Sequence, residues 1–225
     1  MKKCAFWKAF LLCLAVFLYP VQDQAGAFHV VNDALAAPSD NQAQERQLKL
    51  MSTFLSNFTE VRLFDFDVKK GGDGSILHLG ADPSNPFLIR FGVWHNYVNN
   101  YKTRVKPCPV KGCKYGPLVI EARYVAESVR KFFDLDVKHR TVDEYDPPSY
   151  FDGKYYHFDG ADGDAPYFAK VTKARQEGGV VYMSGYVYNG DDESDRPYTF
   201  EATAKPHTWN GVKTWAILSF MVRER

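Results

Sequence analysis

Val181-Tyr182-Met183-Ser184-Gly185-Tyr186-Val187-Tyr188 sets Val, Met or Gly at odd positions against Tyr or Ser at even ones. A period of two fits a half-buried β-strand and is incompatible with one face of a helix. The same period continues on both sides. From residue 136 onward, strands are expected at about 136–142, 153–159, 166–174, 179–188, 197–205 and 213–223. Thr208-Trp209-Asn210-Gly211-Val212-Lys213 joins the last two. Asn-Gly there predicts a tight hairpin, because the favoured two-residue turn needs positive φ at both central positions. The closing run Trp215-Ala216-Ile217-Leu218-Ser219-Phe220-Met221-Val222 is apolar on both faces. It is expected to lie centrally, covered on both sides.

Upstream of residue 136 the apolar period is helical. Ser39 and Gln42 form a capping box, and Leu48, Met51, Leu55 and Phe58 make a stripe, so a first helix is predicted at about 41–56. Residues 60–83 alternate weakly through Val61, Leu63, Phe64 and Phe66, then break up at Lys69-Lys70-Gly71-Gly72-Asp73-Gly74. Asn85-Pro86 opens a second helix at about 86–103. Its stripe is Phe87, Phe91, Trp94, Val98 and Tyr101, with Arg90, His95, Asn99, Asn100 and Lys102 largely off it. Leu118-Val119-Ile120 reads as a short strand, and Tyr124 to Leu135 as a third helix with Val125, Val129, Phe132 and Phe133 inward. The fold class is therefore α+β: about three N-terminal helices packed on a curved antiparallel sheet of about five to six strands. No internal repeat or linker divides residues 39–225, which read as a single domain.

The start of the chain reads as an address. Lys2, Lys3 and Lys8 precede the apolar run from Ala9 to Tyr19, and Ala25-Gly26-Ala27 supplies small residues for cleavage. Residues 1–27 fit a signal peptide, and 28–38 a flexible lead-in. An uncleaved anchor and a later cleavage after Ala36 are the alternatives. The expected location is exported, periplasmic or extracellular, with no transmembrane segment in the mature chain. Losing residues 1–27 takes Lys+Arg from 28 to 25 and Asp+Glu from 27 to 26, a net charge near −1. Such a chain is no polycation seeking nucleic acid. A composition of 45% hydrophobic, 24% charged and 16% aromatic residues suits a packed core and excludes a disordered or collagen-like chain.

Cleavage also removes Cys4 and Cys13. Cys108 and Cys113, in Cys-Pro-Val-Lys-Gly-Cys, remain as an even count in an exported protein and are expected to form a disulfide. Zinc is the competing reading. It needs two more ligands, and no His stands at the local spacing of a zinc ribbon, so no metal or cofactor is expected.

The standard catalytic strings are missing: no Gly-x-Ser-x-Gly, no His-Glu-x-x-His, no phosphate loop. His95 is the leading candidate base, with no partner carboxylate identifiable, and His139, His157 and His207, scattered among strand segments, are weaker ones. Asp159-Gly160-Ala161-Asp162-Gly163-Asp164 fails the spacing of an EF-hand and reads as a turn, and the acids at 191, 192, 193 and 195 read as a solvated loop. Tyr182, Tyr186 and Tyr188 share a strand face that either packs or lines a ligand groove. Lys102, Arg104, Lys106, Lys111 and Lys114 have no acid among them. They form a basic loop that either solvates or meets an anionic surface of the envelope.

The helices-then-meander order resembles the nuclear-transport-factor-two-like and cystatin-like families of α+β cones. Thr53 to Glu60, Phe91 to Asn100, Val129 to Phe133, Asp152 to Tyr156 and Thr214 to Ser219 together resemble a group of exported bacterial proteins of unassigned activity. The resemblance implies a fold and brings no catalytic residues. The expected function is a non-catalytic module of the bacterial envelope that binds a ligand or partner. Two alternatives stay open: a small hydrolase or isomerase using a pocket between helices and sheet, and a structural assembly domain.

Overall fold

The computed structural model describes residues 40–62, 75–78, 82–160 and 166–225, all within one unit, Pro38–Arg225. The leader, the lead-in and the Lys69–Gly74 segment lie outside the described residues. Helix α1 (Asp40–Thr59) is followed by β1 (Ser75–His78), α2 (Pro86–Asn99), β2 (Val105–Pro107), β3 (Leu118–Glu121) and α3 (Ala122–Phe133). Then come β4 (Ser149–Phe151), β5 (Tyr155–Phe158), β6 (Tyr167–Glu177), β7 (Val180–Asn189), β8 (Tyr198–Trp209) and β9 (Val212–Glu224). The α+β class and three helices stand. The single sheet does not: the strands form a five-stranded antiparallel sheet, β1-β9-β8-β7-β6, and a four-stranded one, β2-β3-β5-β4. Nor are the helices all N-terminal, since α3 continues directly from β3.

The long meander follows the period-two reading. Asn210 and Gly211 both take positive φ in the β8–β9 turn, as the Asn-Gly pair requires. On β7, Val181, Met183 and Val187 are buried while Tyr182, Ser184, Tyr186 and Tyr188 face outward and are half-buried. β9 lies between β1 and β8, yet it is not covered on both sides, because Leu218 is exposed. Thr203 pairs with Ser219 and Ala204 with Ile217, so Leu218 is the extra residue of a bulge. The bulge flips the inward phase, and Ala216 and Ile217 are both buried. Residues 136–142 form no strand, only an isolated bridge from Val142 to Ser149.

Helix α2 is shorter than its stripe. Asn100 caps it, Lys102 takes a positive φ, and Val98 and Tyr101 are exposed. Phe87 through Asn96 are buried without interruption, so α2 is enclosed over most of its length and its off-stripe residues are buried too. Arg90 survives there because its guanidinium donates to the carbonyls of Pro147 at 2.8 Å and Asp146 at 3.2 Å, and lies 4.2 Å over the Trp94 ring. Burial pulls its pKa down to about 10.

Helix α1 covers the edge of the large sheet. The backbone N–H of Ala169 donates to Ser56 Oγ at 3.1 Å and that of Val171 to Ser52 Oγ at 2.9 Å, so the outward amides of edge strand β6 are satisfied by a helix. Between the helices and β9 the interior is aromatic. Phe58 lies 5.2 Å from Phe91, 5.8 Å from Phe132, 5.6 Å from Phe133 and 6.3 Å from Phe220, ring centre to ring centre. These rings fill the interior between the helices and β9; a cavity of about 640 Å³ lies instead at the surface where α1 meets β6, bordered by Ser52, Ser56, Glu60, Lys170 and Tyr188.

Candidate functional site

β2 and β3 are antiparallel neighbours, and the Cys108–Gly116 segment is the loop that joins them. Cys108 N–H closes the loop onto the Pro117 carbonyl at 2.7 Å. Gly116 takes φ +119°, and a Cβ on it would fall 2.4 Å from the Phe158 carbonyl carbon. Only glycine lets the loop press this closely on β5. β5 is the next strand after β3, with His157 opposite Val119. The cysteine loop and the His157 imidazole therefore meet at one end of the small sheet.

The meeting is close. His157 Nδ1 lies 3.6 Å from Cys108 Sγ and 3.4 Å from Cys113 Sγ, and the three donor atoms all fall within 4.8 Å of one another. No sulfur–sulfur bond joins the two cysteines in this structure. His157 Nε2 lies 2.8 Å from Asp152 Oδ2. Asp152 is itself fixed, its Oδ1 accepting the N–H groups of Lys154 at 2.8 Å and Tyr155 at 2.7 Å. Burial raises the Asp152 pKa, but the His157 contact and the two backbone donors outweigh it and bring it to about 2. His157 is pushed down by burial and up, with net effect, by Asp152 and Cys113. Backbone hydrogen bonds from Val110 to Cys108 and from Tyr115 to Cys113 favour the thiolates. For Cys113 the net shift is downward; for Cys108 partial desolvation and the neighbouring thiol prevail and the shift is upward. The sulfurs border a surface cavity of about 400 Å³ whose wall also carries Lys111, Lys114 and Asp159.

The other sequence candidates disperse. His95 is buried, stacked 5.4 Å from the Phe91 ring and 4.7 Å from Phe132. Its Nδ1 meets the Asn99 side-chain amide at 3.3 Å, and neither a carboxylate nor a tyrosine hydroxyl is among its described hydrogen-bond partners. Burial, helped by Lys131 and Arg104, pushes its pKa down to about 3. That is the environment of a packed neutral imidazole, not of a base waiting for substrate. Of the basic loop, Arg104 is engaged with Glu127 at 3.2 Å and lies over Tyr124, while Lys102 and Lys106 are exposed and only Lys111 and Lys114 reach the cysteine cavity. Of the three tyrosines, Tyr186 and Tyr188 stay in edge contact at 6.2 Å and Tyr182 stands apart. Tyr188 packs beside Phe168, and Tyr186 sits under the Arg196 guanidinium and donates to Glu193. Tyr182, with Arg175 at 3.9 Å over its ring, opens on a groove of about 710 Å³ on the outer face of the large sheet. Lys173, Ser184, Glu201, Thr203 and Met221 share its lining. The Asp159–Asp164 turn lies partly outside the described residues, and Asp192 uses its carboxylate to hold the Ser194 N–H and hydroxyl within its own loop.

The sequence does not join His157 to the cysteines, because it is 44 residues from Cys113 and belongs to another hairpin. The available signal was the strand Leu118-Val119-Ile120 directly after the cysteines, whose neighbour in a sheet is the place to look for further ligands. Compared with known protein families, with characterised proteins and with solved structures, the chain gives no significant match. Among the described residues no helix is long and apolar enough to cross a membrane.

Proposed function

We propose that this chain is an exported, non-catalytic binding module of a bacterial cell envelope, built on an α+β cone, which holds a small polar ligand on the outer face of the five-stranded sheet. The observation that carries the reading is the Tyr182 groove, together with the aromatic filling of the interior. A filled interior gives His95 no substrate to act on. The outer groove combines an aromatic ring, hydroxyls of Ser184 and Thr203, and charges of both signs, a composition that orients a small molecule. Lys173 suits a carboxylate, as does Arg175 on exchanging its partner Glu177, and Glu201, 3.6 Å from Arg223, suits an amine, so amino acids and short peptides are the class to test.

Saturation-transfer NMR with amino acids, di- and tripeptides, and neutral sugars as counter-probe tests the groove. Transfer to a zwitterionic probe is expected in the wild type and is expected to vanish in Tyr182→Ala combined with Arg175→Ala. Equal transfer in both proteins, or none to any zwitterion, overturns the site. Export has its own test: protein recovered from the native host should begin near Phe28, and an intact Met1 in the cytoplasm would refute the leader.

A further inference from the structure

We propose that Cys108, Cys113 and His157 form a binding site for a thiophilic divalent metal ion, Zn²⁺ foremost, with Asp152 as the group that orients the imidazole. The donor spacing carries this. Zinc bonds of about 2.3 Å to sulfur and about 2.0–2.1 Å to nitrogen, at tetrahedral angles, place S and N about 3.6 Å apart. The Nδ1–Sγ distances here are 3.6 and 3.4 Å. One ion therefore fits between the three atoms with little movement of the backbone.

The second observation is the setting of the imidazole. Asp152 Oδ2 lies 2.8 Å from Nε2, so a proton held there leaves Nδ1, the nitrogen beside both sulfurs, to bind the ion through its lone pair. A carboxylate behind a histidine that faces metal is a recurrent device: it fixes the tautomer and raises the ligand's basicity. Asp152 is held for that task by the Lys154 and Tyr155 N–H groups. The third observation is the loop. Gly116 lets it press on β5, which brings Cys108 and Cys113 to the same ring nitrogen of His157. Binding releases their protons, so affinity rises with pH.

Two thiolates and one imidazole are soft to borderline donors, suited to Zn²⁺ rather than to Mg²⁺ or Ca²⁺. Three protein donors leave a fourth position, which solvent from the cavity of about 400 Å³ would fill. The ion would tie the β2–β3 loop to β5, a cross-link between hairpins that the local Cys108–Cys113 bridge could not supply. The tyrosine groove is a separate surface, and neither reading depends on the other.

The test uses the whole chain, reduced, stripped with chelator and titrated with Co²⁺ and then Zn²⁺. Co²⁺ should bind one to one with the visible absorption of a tetrahedral site and a sulfur-to-metal charge-transfer band, and Zn²⁺ should displace it. Cys108→Ser and His157→Ala should each abolish those bands. Asp152→Asn, which leaves all three ligands and guards against a folding defect in the others, should weaken binding about 10- to 100-fold. Absent bands in the wild type, or bands unchanged in His157→Ala, overturn the site. So does protein from its native host whose thiols stay untitratable after chelation and whose mass is two hydrogens short, since that is the disulfide.

Discussion

Phe58→Ala is expected to lower the unfolding free energy by about 3–5 kcal/mol, the cost of deleting a fully buried phenyl ring where the surroundings cannot close the void. Phe58 is fully buried, and its ring meets Phe54 from its own helix, Phe91 from α2, Phe132 and Phe133 from α3 and Phe220 from β9. Collapse is opposed because these neighbours are attached to four different elements, each fixed by other contacts. Phe58→Leu keeps most of the volume and is expected to lose well under half as much. Urea unfolding followed by far-ultraviolet circular dichroism measures both. A loss below about 1 kcal/mol for Phe58→Ala would mean that α1 is not docked as described.

The second large effect is a fall in stability with acid, centred on His95. Its pKa is near 3 in the folded chain and about 6.5 when unfolded, so the unfolded state binds the proton more readily. The contribution is fully present above about pH 6.5 and shrinks as pH falls toward 3, at about 1.4 kcal/mol per unit. Near pH 5 this one imidazole accounts for about 2 kcal/mol of lost stability. The cause is enclosure by Phe91 and Phe132 first, then the positive charges of Lys131 and Arg104. His95→Gln keeps a polar group for Asn99 but cannot gain a charge. Its unfolding free energy, measured by urea titration between about pH 6.5 and 5, should fall less steeply than that of the wild type by nearly the full slope. Parallel slopes would place His95 in contact with water.

These two positions mark where the sequence was legible and where it was not. Phe58 belongs to a stripe at helical spacing, and a stripe predicts burial whatever it packs against. The Asn210-Gly211 hairpin, the inward face of α3 and the alternation along β7 were legible for the same reason: each signal is contained in a few neighbouring residues. His95 was not, because α2 is enclosed on nearly all sides and the off-stripe positions of such a helix carry no local mark of burial. Strands β2 and β4 have three residues each, too short for a period to register. The Leu218 bulge reverses the phase of β9 midway, so its unbroken apolar run looked like two covered faces when it is one face continued past an inserted residue. The cysteine–histidine cluster is a tertiary juxtaposition, set by strand order in a sheet the sequence reading did not separate from the larger one.

The serine contacts between α1 and β6 reach across 113 and 119 residues of chain. An edge strand left bare is a template on which another polypeptide can add itself, by the same amide pairing that builds the sheet. Here the guard is made before the strand it protects, because α1 leaves the ribosome well ahead of β6. It is also the kind of distant contact that forms slowly, since the whole intervening loop must close first. Wherever the meander pairs before α1 docks, its β6 flank is open to a second copy. The two serine hydroxyls thus do more than join a helix to a strand: they keep that edge from acting as a docking line for another chain.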